Sequence, residues 1–221
     1  MNRHLAAVSV LFMAVSAAAP PQDAPSDWQI IPGDRVGPIT AETSEVMLER
    51  LYGADNVETA DVEIGEGFTE PGTVVYPEDP QRRLEVVWLD QSRLVVKEVR
   101  LTGETSAWHT RDGISLGTTL KEIEVINRFP FRLAGFAWDY GGTIVGCGRG
   151  RLGMIGCADG DDDTESSRSR YIVIRLGPDV EARGEPAYRQ VIGERVFSSG
   201  HPAMQKLNPR VYQIVVYLSQ Q

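Results

Sequence analysis

The stretch ITAETSEVMLERLYG (residues 39–53) decides the fold, because a related stretch, ISLGTTLKEIEVINR (residues 114–128), follows it at an offset of 75 residues. Each copy opens with an isoleucine followed by a Thr or Ser. Two consecutive hydroxyl residues, Thr43-Ser44 in the first copy and Thr118-Thr119 in the second, begin four positions after the isoleucine. Ser and Thr side chains cap helices by accepting a hydrogen bond from a backbone N–H. Each copy therefore predicts a short extended segment followed by a capped helix.

The remainder of each copy has the spacing of an amphipathic helix of about three turns. The apolar stripe consists of Met47, Leu48, Leu51 and Tyr52 in the first copy, and of Leu120, Ile123 and Ile126 in the second. Glu45 and Glu122 fall in the first turns, where the helix dipole favours an acidic side chain. Helix formation and core packing account for the residues of this block.

After each helix the apolar residues alternate with a period of two, which predicts strands. The predicted strands are residues 73–76, 83–89 and 93–101 after the first helix, and residues 143–147, 151–157, 170–176 and 210–218 after the second. A helix followed by neighbouring strands favours the α+β class with antiparallel sheets. We predict two tandem helix-plus-antiparallel-sheet units, residues 33–105 and 106–176, with a C-terminal strand extension over residues 177–221.

The N-terminus has the pattern of a secretory signal peptide. Arg3 precedes an apolar run from Leu5 to Val15, and small residues follow, with cleavage expected near Ala18 or Ala19. The run is shorter than the roughly 20 residues that span a membrane, and no later segment qualifies. We predict a signal peptide (residues 1–19), a disordered leader (residues 20–32) and a soluble periplasmic or secreted protein.

The net charge and the cysteine content limit which partners and metal sites are expected. The net charge of −9 repels phosphate backbones, so nucleic acid is not expected as a partner. Cys147 and Cys157 would form a disulfide in an oxidising compartment, the alternative being two buried free thiols. A zinc site is disfavoured because the segment between them supplies no histidine.

The two copies resemble the tandem repeats of the β-lactamase inhibitory protein and of the related small outer-membrane-assembly lipoprotein domain, over residues 33–176. The likeness lies in the spacing of Ile, Ser/Thr, Gly/Thr and Leu. Gly117 matches the glycine of the family's Gly-x-Thr entry, whereas the first copy has Glu42 there and lacks paired cysteines. The resemblance implies exported modules that bind proteins through a sheet surface without catalysis, and it assigns no functional residue.

One motif indicates catalysis. GISLG (residues 113–117) matches the nucleophile elbow of serine hydrolases, with Ser115 as nucleophile and Asp139 and His201 in the order acid, then histidine. The repeat, however, places Thr40 at the position of Ser115, where no elbow exists. A small serine hydrolase is therefore kept as the alternative function.

The segment GFAWDYGG (residues 135–142) is the candidate binding element. Its alternation predicts a strand with Phe136, Trp138 and Tyr140 on one face. That face would either cover the core or line a partner-binding surface, where aromatic side chains give a large contact area.

The remaining motifs point to no cofactor. The acidic run DGDDD (residues 159–163) lacks the glycine and glutamate positions of a calcium loop, which favours a solvated loop. We find no nucleotide loop, dinucleotide fingerprint or zinc pattern and expect no metal. The preferred function is a non-catalytic protein that binds another protein in the periplasm or cell envelope; a carrier of a small ligand is a further possibility, and the oligomeric state is left open.

Overall fold

The computed structural model describes residues 27–147, 149–155 and 171–219. The helices are α1 (Glu45–Tyr52), α2 (Leu120–Asn127), α3 (Pro186–Arg189) and α4 (Pro202–Leu207). The strands are β1 (Gln29–Ile31), β2 (Arg35–Val36), β3 (Ile39–Thr40), β4 (Val57–Gly65), β5 (Phe68–Val75), β6 (Leu84–Trp88), β7 (Val96–Thr102), β8 (His109–Thr110), β9 (Arg132–Ala134), β10 (Ile144–Gly146), β11 (Ile172–Gly177), β12 (Val196–Ser198) and β13 (Arg210–Tyr217). The predicted α+β class is confirmed. The predicted signal peptide, the acidic run 159–163 and Cys157 lie outside the described residues.

One six-stranded antiparallel sheet, which we call the main sheet, organises the fold. Its strand order is β11-β13-β7-β6-β5-β4. The interior strands β7 and β13 are antiparallel neighbours that come from opposite halves of the chain. A four-stranded sheet (β3-β2-β1-β8) and a three-stranded sheet (β10-β9-β12) complete the architecture. Both halves of the chain contribute to a single hydrophobic core cluster.

The turns that precede α1 and α2 have the same hydrogen bonds at the predicted offset. The hydroxyl of Thr43 accepts from the N–H of Thr40 at 2.9 Å, and the hydroxyl of Thr118 accepts from the N–H of Ser115 at 3.0 Å. In both turns the fourth residue also donates its N–H to the carbonyl of the first, at 3.2 Å. The side chains of positions 43 and 118 thus fix the same local conformation.

The helix caps correspond as well. Ser44 caps α1 by accepting from the N–H of Met47, and Thr119 caps α2 by accepting from the N–H of Glu122. The N–H of Thr119 in turn donates to the Glu122 carboxylate, which completes a capping box. The predicted caps are therefore confirmed at both positions.

Each helix also begins next to the start of an interior strand of the main sheet. The N–H of Glu45 donates to the carbonyl of Arg93 at 3.1 Å, three residues before β7. The N–H of Leu120 donates to the carbonyl of Pro209 at 2.8 Å, one residue before β13. Leu48 and Ile123, which are equivalent at the offset of 75, are both fully buried.

Outside the segment of residues 135–142, three predictions of local structure are wrong. Residues 29–31, assigned to a disordered leader, form β1, because Ile30 is buried between its partners β2 and β8. Residues 151–155, predicted as a strand, form a 3-10 helix, in which the N–H of Leu152 donates to the side chain of Asn127 at the end of α2. Met47, assigned to the apolar stripe, is exposed.

Strand β4 is not among the predicted strands. Its sequence VETADVEIG does alternate, but acidic side chains occupy exposed positions. The strand lies at the edge of the main sheet, where charged side chains discourage pairing with other chains. β5 likewise begins at Phe68, five residues before the predicted start.

Glu45 links α1 to the main sheet. Its Oε1 accepts hydrogen bonds from Arg93 at 2.6 Å and from the Thr73 hydroxyl at 2.8 Å. Burial raises the pKa of Glu45, but the hydrogen bonds from Arg93, Thr73 and Thr59 outweigh burial, so that the pKa is lowered from 4.5. The ionised carboxylate therefore stabilises the folded state.

This arrangement predicts a pH-dependent effect of Glu45→Gln. A carboxylate whose pKa is depressed on folding contributes stability above its unfolded pKa, and that contribution disappears as the pH falls through the folded value. We expect the variant to be less stable than the wild type at neutral pH, with a difference that shrinks as the pH falls below about 4.5. Urea unfolding between neutral pH and pH about 3 measures the difference, and Glu49→Gln, at an exposed position of α1, is the control. A pH-independent difference would contradict the linkage.

Candidate functional site

The segment of residues 135–142 is a turn, which we call the aromatic turn, and the predicted strand is wrong. Ala137 has a left-handed backbone (φ 66°), and the N–H of Gly141 donates to the carbonyl of Trp138. A strand cannot accommodate either feature. Consequently the three rings do not share a face: Phe136 is buried, Trp138 is half-buried and Tyr140 is exposed.

Hydrogen bonds hold the aromatic turn on two sides. On one side, Phe136 donates its N–H to the carbonyl of Val191 and accepts from the N–H of Gly193, both at 2.8 Å. On the other side, the N–H of Leu176 in β11 donates to the carbonyl of Gly142 at 3.0 Å. Within the turn, the indole N–H of Trp138 donates to the carbonyl of Gly135 at 2.8 Å. The position of the Trp138 ring is therefore fixed.

A cleft of about 830 Å³ adjoins this ring, and we call it the aromatic cleft. Its aromatic lining consists of Phe136, Trp138, Tyr188 and Tyr212. The Phe136 and Tyr188 rings are stacked, with centroids 6.0 Å apart. Charged side chains surround the rings: Glu104, Asp179, Glu181, Arg183 and Arg210. Aromatic walls with a charged rim suit a ligand that has both apolar and polar groups.

On the other side of the aromatic turn lies a second cavity of about 530 Å³, which we call the polar pocket. Its floor is the face of the main sheet opposite the helices, where Thr102, Gln213 and Arg175 are cross-strand neighbours on β7, β13 and β11. One wall is the tip of the β4–β5 hairpin, and the other carries Asp139.

The two walls of the polar pocket are connected. The hydroxyl of Tyr140 donates a hydrogen bond to the carboxylate of Glu66 at the hairpin tip. This hydrogen bond and the charge of Glu66 raise the pKa of Tyr140. The ring of Tyr140 also lies 5.5 Å from the Arg175 guanidinium. The aromatic turn thus joins the hairpin to β11.

A buried ion pair lies in the floor of the polar pocket. Arg100 donates to Glu98 at 2.5 Å, and only 5% of either side chain is exposed. The Nε of Arg100, the Nε of Arg175 and the Oε1 of Gln213 are buried without a hydrogen-bond partner among the described residues. Each such group costs about 1–3 kcal/mol when it is left unpaired.

Two of the three candidate catalytic residues of the alternative function form local hydrogen bonds. The single hydroxyl proton of Ser115 is within donating distance of two backbone carbonyls, with the Oγ 2.7 Å from the oxygen of Trp108 and 2.9 Å from that of Ser106. The Nδ1 of His201 accepts from the N–H of Ala203 and caps α4. Asp139 is exposed in the aromatic turn. Within the described ranges, no hydrogen bond connects Ser115, Asp139 and His201 to one another.

The described part of the chain contains no cluster of three or more His, Cys, Asp or Glu side chains that could hold a metal ion. Cys147 is buried, and the bridge to Cys157 stays a prediction. No helix within residues 27–147, 149–155 and 171–219 has the length and apolar character needed to cross a membrane.

The polar pocket is the part of the site that sequence reasoning missed. The segment RLVVKEVRL was interpreted only as a strand, although Glu98 and Arg100 share one face of it. Two opposite charges at alternate positions of a strand lie side by side on one face and are a signal of an ion pair, because an unpaired charge is costly to bury.

Comparison with known proteins yields no relative: no family model matches the sequence, and no curated protein or solved structure is significantly similar to it.

Proposed function

We propose that the protein is a non-catalytic binding protein, exported to the periplasm or cell envelope, that holds a segment of a partner protein in the aromatic cleft. The observation that carries the proposal is the fixed, half-buried ring of Trp138 beside Tyr188 and Tyr212. Aromatic side chains in preformed clefts dominate binding energy because they bury much area at a small cost in entropy. The charged rim supplies groups that orient the bound segment.

A tandem-repeat origin supports a binding role. The corresponding turns, caps and strand contacts of α1 and α2 are the observations from which we infer two related units. The resemblance to the β-lactamase inhibitory protein implies such units in exported proteins that bind through a sheet. Catalysis by Ser115 has less support, because its hydroxyl is engaged with two backbone carbonyls.

Site-specific photo-crosslinking in the cell envelope tests the proposal. A benzoylphenylalanine at Val180, which is 71% exposed on the cleft rim, is expected to capture one envelope protein. The same probe at Leu94, which is 60% exposed in the β6–β7 loop, is the control position. Trp138→Ala is expected to reduce capture at least tenfold, about 1.4 kcal/mol or more of binding energy.

Phe129→Ala removes another exposed aromatic ring and is the matched control variant, for which we expect unchanged capture. Equal capture from both probe positions would contradict a specific site. Unchanged capture in Trp138→Ala would show that the partner binds elsewhere.

A further inference from the structure

The polar pocket is lined by charges of both signs. Its basic side chains are Arg83, Arg100 and Arg175, and its acidic side chains are Glu63, Glu66, Glu85 and Asp139. Internal pairing accounts for some of them: Arg83 pairs with Glu85 at 2.7 Å, and Arg100 pairs with Glu98 beneath the floor. Four charged side chains of the pocket form no ion pair with another described residue: Arg175, Glu63, Glu66 and Asp139.

We propose that the polar pocket binds a small zwitterion, a molecule with one carboxylate and one ammonium group, such as a free amino acid. A volume of about 530 Å³ lies within the range of small-molecule sites and accommodates a ligand of this size. The site shares only Tyr212 with the aromatic cleft, so the proposal does not depend on the function of the cleft.

The floor of the pocket supplies the recognition of the carboxylate. Arg100 and Arg175 both line the cavity, and Arg175 is only partly buried. Guanidinium groups bind carboxylates through two parallel N–H···O bonds. Because Glu98 compensates the charge of Arg100, Arg175 is the cation whose charge a ligand carboxylate would neutralise.

The walls of the pocket supply the recognition of the ammonium group. Glu63 and Glu66 lie on the hairpin wall, and Asp139 lies on the opposite wall. Carboxylates on two sides can both accept from an ammonium group, which has three donors. The Tyr140–Glu66 hydrogen bond joins the two walls.

The charged side chains of the pocket favour a zwitterion over a ligand that has only one charge. A plain anion would meet more acidic than basic side chains, on a protein whose net charge is −9. A plain cation would leave the charge of Arg175 without a partner, because Arg100 is already paired with Glu98. A ligand with both charges pairs with both sets of side chains, because its own charges are separated in the same way.

Isothermal titration calorimetry with each standard L-amino acid on the full chain tests the proposal. We expect at least one amino acid to bind with a Kd of about 1 mM or tighter. Its N-acetyl and its amide derivative, each of which lacks one charge, are expected to bind at least tenfold more weakly. Acetate and methylammonium, alone or together, are not expected to bind measurably.

Variants locate the site. Arg175→Gln and Asp139→Asn are each expected to weaken binding at least tenfold, whereas Arg189→Gln, at an exposed position outside both cavities, is expected to leave the Kd unchanged. Asp139 is exposed, so that Asp139→Asn remains informative if Arg175→Gln does not fold. The proposal is overturned if no amino acid binds, if the derivatives bind equally well, or if neither pocket variant changes the Kd.

Discussion

Replacing Arg100 by methionine is expected to lower the free energy of unfolding by about 3–5 kcal/mol. The substitution keeps an unbranched apolar side chain but removes the guanidinium group, the only ion-pair partner that Glu98 has among the described residues. Glu98 is 4% exposed, so its carboxylate would be left buried without a compensating charge. Guanidinium chloride unfolding at neutral pH measures the loss.

The double variant Glu98→Leu/Arg100→Met shows whether the instability of Arg100→Met comes from the unpaired Glu98 carboxylate or from loss of the ion pair itself. Removing both charges eliminates the uncompensated carboxylate, so we expect the double variant to recover most of the stability that Arg100→Met loses. Arg83→Met breaks the more exposed pair with Glu85 and is expected to cost about 0–1 kcal/mol. A loss below about 1 kcal/mol in Arg100→Met would mean that Glu98 is solvated rather than buried.

Local signals in the sequence were sufficient to predict the two main helices. A cap depends on a hydroxyl and a backbone N–H three residues away, so Ser44 and Thr119 specify the helix starts whatever surrounds them. The strands β6, β11 and β13 were predicted for a similar reason, because alternating apolar residues form one face of a strand. Both patterns are contained in short segments.

The sites depend on contacts between distant segments and were therefore only partly predictable. Gln213 and Arg175 become neighbours of Thr102 through the register of β13 with β7 and β11, which no short segment specifies. The sequence did single out Phe136, Trp138 and Tyr140, but the alternation suggested a strand. Contacts with Val191 and Leu176 favour a turn over the local β preference.

Gly142→Ala is expected to lower the free energy of unfolding by about 3 kcal/mol or more and to disrupt the aromatic cleft. Gly142 has a left-handed backbone (φ 72°), and a Cβ added there would lie 1.7 Å from the carbonyl oxygen of Leu176. That oxygen belongs to the backbone of β11 and cannot rotate away, since the N–H of Leu176 donates to the carbonyl of Gly142. The aromatic turn would have to move off β11.

Gly193→Ala provides the matched control for this effect. Gly193 is also left-handed (φ 89°), but a Cβ added there meets no atom within 4 Å. Its substitution therefore has only the conformational cost of about 1–2 kcal/mol, and the difference between the two variants measures the clash with Leu176. Thermal unfolding gives the stability of both variants, and the yield of crosslinking from position 180 shows whether the aromatic cleft still binds its partner. If the two variants were equally stable, the aromatic turn would be free to leave β11, and the Trp138 ring would not be held in place before a partner binds.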